Sequence, residues 1–100
     1  MSRNHIKFDV TIAIINFNRS KFLDRSIRSC IDQSFSNLKL EVIVVDDNSS
    51  DNSMRYLTSN KFIKDNITVY KNKKNRGAGY CSRLAVNKNK GKYFMRVDSD

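Results

Sequence analysis

Two stretches of the chain, Val10-Thr11-Ile12-Ala13-Ile14-Ile15 and Leu40-Glu41-Val42-Ile43-Val44-Val45, are near-continuous runs of apolar, mostly β-branched residues, each with one polar residue, Thr11 or Glu41, rather than an alternation at every second position. A strand of that kind has no polar face to offer water, so it belongs inside a parallel sheet covered on both sides. Parallel neighbours cannot be joined by a tight turn; they need a crossover, normally a helix. The segment between the two runs supplies one. From Ser20 onward, Leu23, Ile27, Cys30, Ile31 and Ser34 recur at spacings of three and four, with Ser20 placed to cap a helix running to about Ser34.

The same alternation continues. Asp46-Asp47-Asn48-Ser49-Ser50-Asp51 supplies turn and cap chemistry before a short helix carrying Met54 and Leu57. Asn66-Ile67-Thr68-Val69-Tyr70 reads as a third strand, Lys71 to Gly77 as a basic loop, and Ala78 to about Lys88 as a helix that turns Cys81, Leu84 and Ala85 inward and is closed by Gly91. Lys92-Tyr93-Phe94-Met95-Arg96-Val97 reads as a fourth strand. The expected fold class is α/β: a parallel, Rossmann-like sheet of about four strands with helices on both faces. A length of 100 residues suits one domain or part of a larger one.

Several classes are disfavoured. The longest apolar run falls far short of the roughly 20 residues of a membrane span, and the Met1-Ser2-Arg3-Asn4-His5 start lacks a signal-peptide core. A cytosolic protein is expected. Cys30 and Cys81 have no Cys or His partner nearby, so they read as reduced, buried residues rather than a zinc site. No G-x-G-x-x-G follows the first strand and no G-x-x-x-x-G-K-[ST] occurs, which argues against dinucleotide and P-loop chemistry. His5, the single histidine, lies in the leading segment and is not expected to be catalytic.

In a parallel α/β sheet the loops after the strands emerge at one edge, the carboxyl edge, where ligands bind. Four groups collect there: Asn16-Phe17-Asn18, Asp46-Asp47, the Lys71–Gly77 loop, and Asp98-Ser99-Asp100. Carboxylates converging on one edge repel unless a cation compensates them, and a divalent ion would do so. Asp98 and Asp100 alternate across Ser99, so an extended backbone can aim both at a hard cation, although D-x-D also occurs by chance in loops. Asp46-Asp47 has two readings, a ligand site or a turn in which one carboxylate caps the next helix. Phe17 is either core or an aromatic platform for a base. Lys plus Arg outnumber Asp plus Glu by 19 to 10. The excess gathers between Lys71 and Lys92, which reads either as a solvated face or, with Gly77 and Gly79 opening a helix, as an attractor for a diphosphate.

These residues, taken in order, resemble the amino-terminal half of the inverting family 2 glycosyltransferases, with the GT-A nucleotide-sugar fold. The carriers are Val10–Ile14 with Asn16-Phe17-Asn18-Arg19, Ser29-Cys30-Ile31-Asp32-Gln33-Ser34-Phe35, Glu41 to Asp51, Asn75-Arg76-Gly77, Lys90-Gly91-Lys92-Tyr93 and Asp98-Ser99-Asp100. The resemblance implies that residues 1–100 are the nucleotide-sugar-binding portion of a larger domain whose acceptor-binding half lies elsewhere. Phe17, where the family usually has Tyr, would stack on uracil or thymine. Asp47 would accept the N3–H of that base, Asp46 would support the loop, and Asp98 would approach the ribose. Asp98 and Asp100 would hold Mn2+ or Mg2+ against the diphosphate. Ile15, Asn16, Asn18 and Gly77 complete the expected nucleotide site. Ser82-Arg83 stand where the family usually has an Arg-Asn pair, with Arg83 the expected substitute in the nucleotide site, and Ile15 stands where the family commonly has Pro.

The implied chemistry is transfer of a sugar from UDP or dTDP to an acceptor hydroxyl, as in polysaccharide or glycolipid synthesis. The general base is expected beyond Asp100, which leaves these residues inactive alone. Contact with the inner face of an anionic membrane is compatible with the basic surface. Two other readings compete. One is a basic nucleic-acid-binding module, disfavoured because the acidic edge would repel phosphates. The other, a sugar nucleotidyltransferase, would need a glycine-rich first loop that Asn16-Phe17-Asn18-Arg19 does not resemble.

Overall fold

The computed structural model describes residues 8–32 and 38–98, with Asp98 described through its backbone. In chain order the elements are β1 (Phe8–Asn16), α1 (Ser20–Asp32), β2 (Leu40–Asp46), α2 (Ser53–Ser59), α3 (Lys61–Asn66), β3 (Thr68–Lys71), α4 (Ala78–Lys88) and β4 (Gly91–Asp98). All the strands are parallel, in the order β3-β2-β1-β4. The two consecutive apolar runs therefore occupy the two central positions, as strands without a polar face must. Register follows from Val10 lying opposite both Leu40 and Tyr93, and from Ile15 lying opposite both Val45 and Asp98.

The two-residue period of each strand divides its side chains between two cores. On one face Ile12, Ile14, Val42 and Val44 pack with Leu23, Ile27 and Cys30 of α1, Leu57 of α2 and Ile63 of α3. On the other, Ala13, Ile43 and Val45 pack with Cys81 and Ala85 of α4. The small residues Ala13, Cys81 and Ala85 let α4 settle close to the sheet. Two polar residues sit inside the central pair without penalty: Thr11 donates its hydroxyl to the Glu41 carboxylate at 2.7 Å, and the Lys90 N–H donates to the same oxygen at 3.0 Å. That second bond ties the α4–β4 turn to β2.

The local differences from the sequence reading have physical causes. The third strand starts at Thr68, because Lys61–Asn66 form a one-turn helix, α3, capped by the Asn60 side chain accepting from the Ile63 N–H at 3.1 Å. Its single buried residue, Ile63, leaves no periodicity to read. Ser20 is the first residue of α1 rather than its cap; its N–H is bound by the Asp51 carboxylate, at 2.9 Å, from the loop after β2. Gly91 opens β4 rather than closing α4, which ends with Asn89 as its C-cap. Gly is needed there because a Cβ would come within 2.6 Å of Thr11 Oγ1 and 2.7 Å of its backbone N on β1. The expected helix end near Ser34 falls outside the described residues.

Because α1, α2 and α3 cover one face and α4 the other, the order of connection reverses between β1 and β4. In an open α/β sheet the crevice at such a reversal, on the carboxyl side, is where ligands are received.

Candidate functional site

Asp46 and Asp47 end β2, and strand alternation sends them to opposite sides. Asp46, like Val42 and Val44, points toward the α1 side, where Asn16 of β1 is its register partner. Its carboxylate accepts from Asn16 Nδ2 at 2.9 Å, from the Ser49 hydroxyl at 2.7 Å and from the Ser49 N–H at 2.9 Å. Ser49 Oγ in turn accepts the Asn18 N–H at 2.9 Å, and Asn18 Oδ1 accepts the Ser50 N–H at 2.7 Å and the Asp51 N–H at 3.2 Å. The loops after β1 and β2 are thus knitted into one unit. Asn18 and Asn48 both adopt positive φ, 52° and 62°, a region Asn tolerates better than bulkier residues.

Asp51 finishes this unit by binding the Ser20 and Ser53 N–H groups at 2.9 Å each, at the starts of α1 and α2. Burial works to raise its pKa, but the hydrogen bonds from Ser53 and Ser20 outweigh that and hold the carboxyl at about 2.

Asp47 points the other way, into the loop that joins β3 to α4. Its Oδ1 accepts from Asn72 Nδ2 and the Arg76 N–H, both at 2.8 Å, and its Oδ2 accepts the Gly77 N–H at 2.9 Å. Burial alone would raise its pKa; the bonds from Asn72, Arg76 and Gly77 reverse the sign and lower it. The N–H groups of Arg76 and Gly77 that lead into α4 are therefore bound by a carboxylate of the protein. Gly77, at φ 90°, makes the required left-handed turn. With their hydrogen bonds made internally, Asp46 and Asp47 have no need of a cation to compensate them. The Cys81 thiol adds a fourth hydrogen bond to the same carboxylate, so its roughly four acceptor positions are taken up within the protein.

Sequence reasoning missed Asn72. It lies in a run of polar turn residues, yet it is only 7% exposed and bridges Asp47 and Cys81 Sγ, the latter at 3.3 Å. Nothing local marks it. Ser49 could have been found, because an Asp followed three residues later by Ser in a turn is a familiar side-chain-to-backbone motif. Cys30 and Cys81 are free and buried, and burial raises both thiols, Cys81 to about 11.

Of the predicted site residues, Asn16, Asn18 and Asp46 meet in one cluster, and Asp47 and Gly77 in the adjoining one. Phe17 stands between the knitted asparagines with 46% of its surface exposed, so it is not core. Ile15 is half-buried against Ala13 and α4. Arg83 stands apart from both clusters, exposed on α4, beside a depression it lines with Tyr80, Leu84 and Asn87. The basic loop borders a groove of about 360 Å³ lined by Lys71, Lys73, Arg76 and Tyr80 among others. There Lys71 donates to Asn48 at 3.1 Å, and the Arg76 guanidinium lies 5.0 Å from the Tyr80 ring centre. The backbone of β4 delivers Asp98 beside Ile15; its side chain and all of Asp100 lie outside the described residues. Among the described residues no three His, Cys, Asp or Glu side chains gather as a metal site, and no helix is long and apolar enough to cross a membrane.

Comparison with known proteins fits this geometry. Chondroitin synthase from Escherichia coli is 33% identical over 91 residues, covering 91% of this chain and 13% of that protein. The crystal structure of S. aureus TarS 1-349 in complex with UDP-GlcNAc superposes with a TM-score of 0.81 at 25% identity, covering 92% of this chain and 26% of that one. A mannosyltransferase from Pyrobaculum calidifontis, solved with GDP-Man and Mn2+, shares the fold with a TM-score of 0.79 at 22% identity, covering 95% of this chain and 30% of its own. The chain spans 13% to 36% of the length of the curated relatives it matches. The sequence pattern described as Glycosyl transferase family 2 matches residues 11–100. With that match over nearly all its length, and with the parallel GT-A-like sheet, this chain belongs to glycosyltransferase family 2.

Proposed function

We propose that this chain is the donor-binding portion of an inverting glycosyltransferase that takes a UDP- or dTDP-sugar. The observation that carries the reading is Phe17: an aromatic ring left open to solvent in a loop whose two neighbours, Asn16 and Asn18, are tied to the Asp46–Asp51 loop. A rigidly mounted, exposed ring suits stacking on a pyrimidine base. Asp47 would accept a base N–H by exchanging one of its internal bonds, and Asp46 with Asn16 and Asn18 holds the platform. Relatives of known ligand support the donor class: TarS was solved with UDP-GlcNAc. Asp98 and Asp100 are the residues that would hold Mn2+ or Mg2+; bound there, the ion would stabilise charge on the departing diphosphate.

The acceptor is a hydroxyl of a growing glycan or glycolipid, and the base that activates it belongs to a segment beyond Asp100. Unpaired, buried Cys30 and Cys81 suit a reducing, cytoplasmic setting. Calorimetric titration with UDP, dTDP and GDP, each with and without Mn2+, tests the reading. UDP and dTDP should bind more tightly than GDP, with a Mn2+ enhancement that Asp100→Asn removes. If neither pyrimidine nucleotide binds a chain shown by circular dichroism to be folded, the proposal fails.

A further inference from the structure

The cations of this chain are segregated. On the α1 side Lys21, Arg25 and Arg28 are interleaved with Asp24 and Asp32, and the pairs Arg28–Asp24 and Lys61–Asp65 close at 2.8 Å. Between Asp65 and Asp98 there is no carboxylate at all, although the span includes Arg83, Lys88, Lys90 and Lys92. These four are exposed, and so, on the same helix, are Tyr80 at 37% and Val86 at 52%. The inward stripe of α4 is Cys81, Leu84 and Ala85, which leaves Tyr80, Arg83 and Val86 on the outer one. Lys92 extends that face onto β4, two residues before Phe94, which packs on the α4 side of the sheet. A depression of about 190 Å³ opens along the outer stripe beside Tyr80 and Arg83.

We propose that this α4 face docks the protein on an anionic phospholipid bilayer. Lipid phosphates meet Arg83, Lys88, Lys90 and Lys92, while Tyr80 and Val86 enter the interfacial layer. Residues 66–97 carry no carboxylate to repel headgroups, and of the two that border Lys90, Glu41 is buried against Thr11 and the Lys90 N–H while Asp65 is paired with Lys61. An aliphatic Val at the centre of the patch gains from an acyl environment and has nothing to offer a nucleobase. Nucleic acid fits less well for a second reason. Single-strand binding relies on free aromatic faces, whereas the Tyr80 ring lies under Arg76 at 5.0 Å and the Tyr70 ring under Lys88 at 5.5 Å. Lys88, Lys90 and Lys92 sit at the amino edge of the sheet, at the opposite end of α4 from the loop that Asp47 holds. The inference stands apart from the donor-site reading.

Co-sedimentation of the full chain with large unilamellar vesicles tests it, comparing pure phosphatidylcholine with vesicles holding about 30 mol % phosphatidylglycerol. Binding should require phosphatidylglycerol and fall as salt rises from about 0.1 to about 0.5 M. The triple variant Lys88→Gln, Lys90→Gln, Lys92→Gln should bind about 100-fold more weakly, at roughly fivefold per cation removed. A matched variant of the opposite face, Lys21→Gln, Arg25→Gln, Lys64→Gln, removes the same charge and should change binding by less than about threefold. Urea unfolding of both variants checks that the fold is retained. Equal losses in the two variants would show that net charge alone attracts the lipid, and would overturn the assignment of this face. Binding to neutral vesicles, or failure to bind either vesicle while a single-stranded RNA is bound, would overturn the proposal as well.

Discussion

The Asp47 clasp makes the sharpest prediction about the site. In Asp47→Asn the side chain keeps its shape, so Oδ1 can still accept from Asn72 and Arg76, but an NH2 group replaces the oxygen that faces the Gly77 N–H. Rotating the amide by half a turn only transfers the clash to the other two donors. A buried donor left without an acceptor costs about 1–3 kcal/mol, and reducing two charge-assisted bonds to neutral ones costs about 1 kcal/mol more for each. The sum is about 3–5 kcal/mol. With a urea slope of about 2 kcal/mol per M for a domain of this size, the unfolding midpoint should drop by about 1.5–2.5 M at neutral pH.

The pH dependence supplies an independent check. The folded pKa of Asp47 lies below its ordinary value, so the unfolded chain binds more protons in between. Its stabilisation is therefore complete above the unfolded value of about 3.9 and is lost as pH falls through the lower folded value. The gap between wild type and variant should narrow as pH drops below about 3.9. A midpoint shift under about 0.3 M at neutral pH, or a gap unchanged in acid, would refute the claim that Asp47 holds the β3–α4 loop.

Three other outcomes follow from the same structure. Phe17→Ala should leave the thermal midpoint nearly unmoved, because the ring is half exposed, yet weaken UDP binding about tenfold in the calorimeter through loss of base stacking. Asp51→Ala removes the acceptor shared by the starts of α1 and α2 and should destabilise by about 1–2 kcal/mol in urea unfolding; because the folded carboxyl sits at about 2, the difference should shrink below the ordinary carboxylate range and be lost as pH falls through about 2. Gly91→Ala forces a Cβ to within 2.6 Å of Thr11 Oγ1. Since backbone atoms of β1 crowd the same point, β4 must move, at about 1–3 kcal/mol, and faster amide exchange along the β1–β4 ladder should report it.

The central strands were legible because a run of consecutive β-branched residues admits one environment, the buried middle of a parallel sheet. Val10–Ile15 and Leu40–Val45 lie there, with their boundaries moved by two residues or fewer. Helices α1 and α4 were legible from their three-and-four spacing, which spans several turns. The α3 helix was not, since one turn with a single buried residue carries no period, and its cap, Asn60, looks like any loop asparagine. Gly91 was misassigned for a related reason. Its role is set by the closeness of Thr11, eighty residues earlier in the chain, and not by its neighbours.

By itself the sequence determined the α/β class, the placement of Asn16, Phe17, Asn18, Asp46 and Asp47 at strand ends, and the concentration of positive charge after β3, because each follows from local pattern and strand polarity. Only the tertiary structure decided what those groups do to one another. It turned Asp46 toward Asn16 and Ser49, turned Asp47 toward Asn72 and the start of α4, and left Phe17 open between them. Strand alternation fixes the side each aspartate faces, but apart from Ser49, three residues on from Asp46, the partners waiting there come from elements 25 to 30 residues away. The separation of a mixed-charge helix α1 from a helix α4 without carboxylates likewise needed the crossovers to assign each helix to a face. Hydrogen bonds and fields act over a few ångströms of space, and the fold alone sets those distances.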